Sequence, residues 1–352
     1  MITSSQKKNE ETEPKPKKLA PATTIEDFNR SDFVATTNLR PHRLEEYIGQ
    51  TKLINQLKLI LRSANLRETI PEHMLLYGPP GLGKTTLANI IAEELGIDIR
   101  IVNAPALQKV GDLMNILINL DKPTIVFVDE IHRLRSQVEE TLYSAMEDGK
   151  VDLVMGKGTG VNTLRIDLSP FVLVGATTQF GKISKPLRDR FPSIFKLENY
   201  TEDEMQELVT RNARLLNVHI SPEALVEICK RSRGVPRVAN NILKRFLDLK
   251  TVRNDESEIT LTQARELLGE MGIFEDGFTA ADLNYLQALK QGSLSLKTLS
   301  GILLEENITL EEVIEPYLIY KGLIDKDSNG RKLTPKGMRY IGMTPNTELF
   351  NS

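Results

Sequence analysis

The segment 78–86 carries the residue types that bind a polyphosphate. It reads GPPGLGKTT, so Gly78, Gly83, Lys84 and Thr85 satisfy the spacing G-x-x-x-x-G-K-[ST]. Glycines let the backbone turn so that successive N–H groups converge on phosphate at the positive end of a helix. Lys84 is expected to neutralise the β- and γ-phosphates and the Thr85 hydroxyl to hold Mg²⁺. The pattern therefore predicts a nucleotide-binding loop; the alternative is a glycine-rich turn without a ligand.

Two further apolar runs end in residues that can act on a bound triphosphate. One stops at Asp129 and Glu130, and the other stops at Thr177 and Thr178. Ligands of α/β proteins bind at the carboxyl ends of such buried strands. Asp129 is expected to hold Mg²⁺, directly or through water, and Glu130 to act as the general base. A hydroxyl of Thr177 or Thr178 could reach the γ-phosphate or the attacking water.

Three arginines are candidates for contacts with phosphate. Arg188 and Arg190 flank an aspartate after a strand end, where they form either a surface salt-bridge cluster or a finger that reaches the nucleotide of a neighbouring subunit. Arg237 lies at a helix N-terminus, a poor place for a cation beside the helix dipole, so it is expected to contact phosphate from a lid. His132 and Arg133 are assigned to the start of a helix rather than to catalysis.

These residues need a parallel sheet to bring them together. Strand-like runs alternate with helical patterns up to Thr201, which predicts an α/β P-loop domain whose parallel sheet has helices on both faces. Two short β-type runs with a glycine-rich link predict a hairpin at 151–167, packed on its own domain or docking a partner. Amphipathic helices follow, and then three short helices and a hairpin typical of a winged helix. The predicted domains are a flexible tail 1–37, the P-loop domain 38–200, a helical lid 201–272, a winged-helix domain 273–345 and a C-terminal tail 346–352.

Composition limits the classes of protein. The 352 residues are 40% hydrophobic and 26% charged, with a formal net charge of −3. No apolar run is long enough for a membrane span and the N-terminus lacks a secretory signal, so a cytoplasmic protein is expected. The single cysteine, Cys229, is expected to be a core residue. On the hairpin of the last module, Lys326, Arg331 and Lys332 could grip DNA phosphates without reading sequence; the alternative is a wing used only for protein contacts.

Motifs from all three domains resemble those of one family. They are LRP at 39–41, YIGQ at 47–50, the loop at 78–86, VDEIHR at 128–133, LVGATT at 173–178, PLRDRF at 186–191, GVPRVAN at 234–240 and EPYLI at 315–319. Together they resemble RuvB, a family of bacterial AAA+ motors that drive branch migration of Holliday junctions. Other clamp-loader-like AAA+ proteins share the nucleotide motifs but lack the C-terminal pattern.

The resemblance implies an activity and its partners. It implies a homohexamer around duplex DNA that hydrolyses ATP with Mg²⁺, in DNA recombination, repair and the SOS response to DNA damage. It also implies loading at the junction by RuvA, docked on the hairpin 151–167, and resolution of the junction by RuvC.

The resemblance also implies roles for single residues. It places Leu39, Arg40, Tyr47 and Ile48 at the adenine, Gly81, Gly83, Lys84, Thr85 and Thr86 at the phosphates, and Asp129 and Glu130 at metal and water. It assigns the trans-acting finger to Arg188, further nucleotide contacts to Arg190, Tyr200 and Arg237, and DNA contacts to Lys326 and Arg331. Of the two threonines at the strand end, Thr178 is the one expected to be catalytic.

Two positions and one segment depart from the family pattern. Gln179 stands where arginine is usual, which puts a subunit contact in doubt. The wing reads DSNGR at 327–331 where TPRGR is usual, and Asn307 replaces another basic residue. Fewer positive charges predict a shallower salt dependence of DNA binding.

The function predicted from the sequence is an ATP-driven DNA motor for branch migration. The alternative is an ATP-gated switch, like a clamp loader or an initiator, that remodels DNA complexes without translocating. A winged-helix transcription regulator with a vestigial ATPase is a third possibility, which the intact finger and metal acids disfavour.

Overall fold

The computed structural model describes residues 39–155, 162–254, 257–327 and 330–343, with side chains described for all but 153–155, 162, 163 and 343. The predicted tails 1–37 and 346–352, the tip of the hairpin 151–167 and the wing residues 328–329 lie outside the described residues. The chain divides after Arg40 into two units, of which only Leu39 and Arg40 are described in the first.

The described elements alternate in type in the first half and are mostly helical afterwards. The strands are β1 Met74–Tyr77, β2 Asp98–Asn103, β3 Thr124–Asp129, β4 Lys150–Met155, β5 Asn162–Asp167, β6 Phe171–Thr177, β7 Ser193–Lys196, β8 Ile324–Asp327 and β9 Gly330–Leu333. The helices are α1 Thr51–Leu66, α2 Lys84–Leu95, α3 Val110–Ile118, α4 Ser136–Asp148, α5 Lys185–Arg188, α6 Glu202–Leu215, α7 Pro222–Arg231, α8 Pro236–Arg253, α9 Leu261–Glu270, α10 Ala280–Ala288, α11 Leu296–Leu303, α12 Asn307–Thr309, α13 Glu315–Tyr320 and α14 Pro335–Met343.

The central sheet is five-stranded and parallel, in the order β2-β3-β6-β1-β7. β6 is buried along its whole length and β3 along all but its last residue, as expected for apolar strands covered on both faces. Alternate residues of β3 enter different cores: Phe127 packs with α1 and α2, whereas Val126 packs with α3 and α4. Helices therefore cover both faces, and the predicted fold class is confirmed.

The lid consists of α6 to α9 and shares a core with one face of the sheet. Val209 of α6, Ile228 of α7 and Phe246 of α8 belong to the same buried cluster as Phe127. α6 starts with a capping box, in which the Thr201 side chain accepts a hydrogen bond from the backbone N–H of Glu204. Continuous packing couples the lid to the nucleotide domain.

The winged-helix domain has a core of its own, built around Phe278, Tyr285 and Leu318. Residues 310–314 form a π-helical turn between α12 and α13. Pro316 lies in the first turn of α13, where its missing N–H is tolerated, but in an unbroken α-helix its ring would clash with the carbonyl four residues earlier. The π-helical turn at 310–314 is wider than an α-helix and so accommodates the proline. In the described part of the chain, no helix is both long and apolar enough to cross a membrane.

Candidate nucleotide-binding and DNA-binding sites

The loop between β1 and α2 has the backbone that a phosphate site requires. Gly78, Gly81 and Gly83 have φ values of 148°, 82° and 99°, which side chains of L-residues rarely allow. A Cβ on Gly78 would lie 2.4 Å from the Leu197 carbonyl oxygen, so only glycine fits there. α2 begins directly at Lys84, and its free N–H groups face the loop.

Lys84 is buried beneath this loop. Its Nζ donates hydrogen bonds to the carbonyl oxygens of Gly78 at 2.8 Å and Pro79 at 2.9 Å. Burial lowers the pKa of Lys84, and the nearby carboxylates of Glu130 and Asp129 counter that shift. The ammonium group of Lys84 is therefore bonded to neutral oxygens of the loop. Two half-buried residues with hydroxyl groups, Thr85 and Thr86, follow in the first turn of α2.

The order of the strands places the predicted hydrolysis residues side by side. β6 lies between β1, which leads to the loop, and β3, which ends at Asp129. Thr177 therefore ends a strand between Lys84 on one side and Asp129 on the other. The backbone N–H of Glu130 donates to Asp129 Oδ1 at 3.0 Å, and Glu130 itself has a left-handed φ of 50°. Such a conformation is uncommon for a residue other than glycine and clusters at functional sites.

The Glu130 carboxylate is contacted by Thr178 at the end of the neighbouring strand β6 and by His132 at the end of its own strand β3. Thr178 donates its backbone N–H to Glu130 Oε2 at 3.2 Å and its hydroxyl to the same atom at 3.1 Å. His132 Nδ1 lies 3.2 Å from Glu130 Oε2 and 2.9 Å from the Thr177 hydroxyl. Burial lowers the pKa of His132, and the nearby carboxylate of Glu130 partly counters that shift. Thr178 is thus bonded to the proposed base in this state.

His132 is the member of this group that the sequence analysis missed. The sequence predicts a helix start there, which agrees with the structure, but it does not predict that the buried ring contacts Glu130 and Thr177. The signal that could have found it is its position two residues after Glu130 at the same strand end. A short 3₁₀ turn at 131–133 folds the ring back towards β6.

On the expected adenine side, two buried tyrosines adjoin the loop. The Tyr47 hydroxyl donates to the Leu82 carbonyl oxygen at 3.2 Å and lies 2.9 Å from where a Cβ of Gly83 would be. Burial, followed by the proximity of Tyr200, raises the pKa of Tyr47, and burial raises the pKa of Tyr200 to about 12. Ile48 is half-buried beside them, whereas Leu39 and Arg40 belong to the other unit.

The lid contacts the loop directly. The backbone N–H of Arg237, in the first turn of α8, donates to the Gly81 carbonyl oxygen at 3.3 Å. A Cβ on Gly81 would lie 2.8 Å from Val235 Cγ1 and 3.0 Å from Arg237 Cβ. The exposed Arg237 side chain also contributes to the lowered pKa of Lys84, although burial is the main cause. Arg237 therefore lies where a lid residue can reach phosphate.

The two arginines at the end of α5 differ in their partners. The Arg188 guanidinium lies 5.2 Å from the Phe180 ring centroid and makes no ion pair among the described residues. The Arg190 guanidinium stacks over Tyr143 at 4.5 Å and pairs with Glu147 at 2.9 Å, while its buried Nε has no hydrogen-bond partner in the described part of the chain. Neither is ion-paired with the carboxylates of its own nucleotide site.

The wing does not present three free cations. Arg331 is only 8% exposed, with Nε 2.8 Å from Glu315 Oε1 and Nη2 2.8 Å from Glu311 Oε1. Lys326 also pairs with Glu311, at 2.8 Å, and Lys332 pairs with Asp327 at 2.9 Å. Both lysines remain substantially exposed. Arg331 is therefore buried within the winged-helix domain, and the two lysines are the ones open to a phosphate backbone.

The hairpin 151–167 forms as predicted in its described stem. β4 and β5 pair antiparallel, with Asp152 opposite Arg165 and joined to it by an ion pair at 3.0 Å. Val151 is buried at the base, whereas Leu164 is 48% exposed further out. The stem therefore carries an apolar side chain away from the core.

Comparisons with known proteins match all three domains. Family models match residues 39–197 as the Holliday junction DNA helicase RuvB P-loop domain, 200–273 as the RuvB AAA lid domain and 275–342 as the RuvB C-terminal winged helix domain. The Holliday junction branch migration complex subunit RuvB of Campylobacter hominis is 45% identical over 324 residues, which are 91% of this chain and 95% of that protein. The same subunit of Campylobacter fetus subsp. fetus is 46% identical over 309 residues, 87% of this chain and 90% of that protein.

Solved structures agree with the sequence relatives. The Thermotoga maritima RuvB Holliday junction branch migration motor is 39% identical, covers 88% of this chain and 99% of its own, and superposes with a TM-score of 0.78. A lysine-to-arginine variant of the same protein is 40% identical and has the same TM-score, with coverage of 87% and 99%.

Proposed function

The chain belongs to the RuvB family, and from that membership we propose that it is an ATP-driven DNA motor that promotes branch migration of Holliday junctions in recombination and repair. The observation that supports this most is the meeting of Lys84, Asp129, Glu130 and Thr178 at one edge of a sheet in a chain that also carries a winged-helix domain. The comparisons do not favour the alternative of a switch that remodels DNA complexes without translocating.

Hydrolysis is assigned to the residues at the sheet edge. Lys84 exchanges its carbonyl partners for phosphate oxygens, because a buried ammonium gains more from an anion than from neutral oxygens. Glu130 takes the proton of the attacking water, which requires its carboxylate to be free of Thr178. Once released, the Thr178 hydroxyl can turn to the γ-phosphate. His132 continues to orient Glu130.

The residues present fit a bound Mg²⁺. The described residues contain no group of three or more acidic, histidine or cysteine side chains that could hold a metal by itself. Mg²⁺ in nucleotide sites is commonly held by one or two protein ligands together with substrate phosphates and water. Thr85 and Asp129 would supply those ligands, and the ion would neutralise charge that develops on the phosphates.

The transition state also needs a cation from another subunit. In the described part of the chain, neither Arg188 nor Arg190 forms an ion pair with Asp129 or Glu130. A homohexameric ring would bring the segment 185–190 of one subunit to the nucleotide of the next. Arg188 is the proposed finger because it has no ion pair to break; Arg190, whose Nε lacks a partner, is the alternative.

The remaining nucleotide contacts follow from positions around the loop. Tyr47, Ile48 and Tyr200 would surround the adenine, Gly81, Gly83 and Thr86 would contact phosphate through the loop, and Arg237 would act from the lid. Leu39 and Arg40 are proposed at the adenine side on the resemblance alone.

DNA and protein partners are assigned to the two hairpins. Lys326 and Lys332 would grip the phosphate backbone from the wing, with Arg331 fixing the shape of the wing. The hairpin 151–167 would dock on RuvA through exposed apolar side chains such as Leu164. RuvC is proposed as the nuclease that acts on the same junction, and the protein is proposed to act in the cytoplasm.

A synthetic four-way junction tests the proposal. Purified protein with RuvA, ATP and Mg²⁺ is expected to convert the junction to two duplex products, and Lys84→Ala is expected to abolish the conversion. If ATP is hydrolysed but strands are not exchanged, the switch is favoured over the motor. Mixing Glu130→Gln subunits with Arg188→Ala or Arg190→Ala subunits identifies the finger. The true finger variant is expected to be inactive alone and to regain hydrolysis in mixed rings, because the Glu130→Gln neighbour supplies the missing guanidinium to a site that still has its base.

A further inference from the structure

Arg233 connects the lid to the winged-helix domain. It lies between α7 and α8, and its guanidinium pairs with Asp282 of α10 while Nε donates to the Gly277 carbonyl oxygen at 2.8 Å. The same guanidinium stacks over the ring of Tyr317 at 4.1 Å. One lid side chain thus contacts three separate parts of the winged-helix domain or its entry.

The acceptor of this contact is well anchored. Asp282 is 2% exposed and also accepts hydrogen bonds from the backbone N–H and hydroxyl of Thr279, each at 2.7 Å, so it caps the first helix of the winged-helix domain. Tyr317 is held by its hydroxyl, which donates to the Asp276 carbonyl oxygen at 2.5 Å. The partners of Arg233 are therefore themselves fixed within that domain.

The other end of the same short segment touches the nucleotide loop. Four residues after Arg233, the backbone of Arg237 bonds to Gly81, as described above. Gly234 between them is clamped, because a Cβ there would lie 2.6 Å from the Tyr200 carbonyl oxygen. The Tyr200 N–H also donates to the Gly234 carbonyl oxygen at 2.9 Å. The segment 233–237 is short, strained at a φ of 56° in Arg233, and fixed at both ends.

We propose that Arg233 is a positioning residue that couples the nucleotide-dependent position of the lid to the winged-helix domain, so that ATP hydrolysis moves DNA. This inference rests on the proposed motor function. In the described part of the chain, the ion pair that joins the ATPase domain to the winged-helix domain is the exposed Lys182–Glu312 at 3.6 Å, which is worth little in solvent. The half-buried, multiply bonded Arg233, whose partner Asp282 is buried, is the stronger link.

The test is the number of base pairs migrated per ATP hydrolysed. Arg233→Ala is expected to keep the DNA-free ATPase rate while this ratio falls roughly tenfold, within the usual range of coupling between sites. Arg233→Lys keeps the charge but not the fork of donors, so an intermediate ratio is expected. Tyr317→Leu removes the stacking partner from the other side and is expected to lower the ratio too. Arg245→Ala, which breaks an exposed pair on the same lid, is the matched control.

A second measurement does not depend on DNA movement. Dyes on Lys52→Cys and Met338→Cys report the distance between the ATPase and winged-helix domains, since both positions are exposed. Burial raises the pKa of the native Cys229 thiol to about 12, so it is not labelled. An ATP analogue is expected to change energy transfer in the otherwise unmodified chain and not in Arg233→Ala.

The outcomes distinguish the proposed motor function from the proposed coupling role of Arg233. Failure of the unmodified protein to migrate a junction overturns the motor function, whatever Arg233 does. If it migrates and Arg233→Ala keeps both the ratio and the energy-transfer change, the coupling role is wrong. If Arg233→Ala does not fold, the same two measurements on Arg233→Lys and Tyr317→Leu decide, and unchanged values in both overturn the coupling role.

Discussion

Replacing Arg331 by alanine separates a structural role from a DNA-contacting role. Its guanidinium is buried between Glu315, which is 2% exposed, and Glu311. Removing one partner of a buried ion pair costs about 3–5 kcal/mol, because the other charge stays buried without compensation. Glu315 keeps hydrogen bonds from Tyr285 and Lys326, so we expect the lower end, about 3 kcal/mol.

That loss is large for a domain of this size. For a domain of 60–100 residues, about 3 kcal/mol corresponds to a fall in Tm of about 12 °C or more. Calorimetry of the full chain should show the transition of the winged-helix domain moving to lower temperature in Arg331→Ala. Lys332→Ala is the matched control, since it removes a half-exposed pair with Asp327 on the same hairpin and should cost less than about 1 kcal/mol.

DNA binding supplies the second readout. Lys332→Ala is expected to reduce the slope of log K against log salt by about 0.9, the value for one lost phosphate contact. Arg331→Ala, measured below its lowered Tm, is expected to keep the slope of the unmodified protein. The reasoning is refuted if Arg331→Ala melts like the unmodified protein and its slope of log K against log salt falls by about 0.9 instead. Arg331 would then be a phosphate ligand.

Three further predictions concern the nucleotide domain. Glu130→Gln is expected to bind ATP but to hydrolyse it about 10²–10⁴ times more slowly, measured as phosphate release; normal turnover would remove Glu130 from the role of base. Gly81→Ala should weaken ATP binding in a filter assay because its Cβ would lie 3.0 Å from Arg237 Cβ; Gly96→Ala, at a positive φ with nothing within 4 Å, is the control for strain alone. Burial lowers the pKa of His73, so the unfolded chain binds the proton first and stability should fall as pH drops below about 6.5; urea titrations should show a smaller fall in His73→Gln.

The sequence predicted the elements whose signals are local. The loop at 78–86 and the acids after β3 each depend on residues within a few positions of one another. Apolar runs likewise predicted buried parallel strands, although not their order in the sheet. That order places β6 between β1 and β3, and it results from crossovers between distant segments.

What the sequence could not predict depends on contacts between distant positions. Arg331 looked like a surface cation beside Lys332, but its carboxylate partners come from the π-helical turn, 20 positions away, and from α13, 16 positions away. His132 likewise meets Thr177 across 45 positions, through the neighbouring strand. Charge patterns along the chain cannot distinguish a solvated cation from one that is paired in the core, because the pairing is set by tertiary packing.

The contacts around the nucleotide loop explain why one chemical step can move a remote domain. Gly81 touches Arg237, and the segment that holds Arg237 also holds Arg233, which is bonded to Asp282. Gly234 is packed against Tyr200, which leaves this segment little room to absorb a shift at the loop. Packed protein interiors have low compressibility, so such a shift is expected to reach the winged-helix domain. Under the proposed function, the wing lysines would pass it to the DNA backbone.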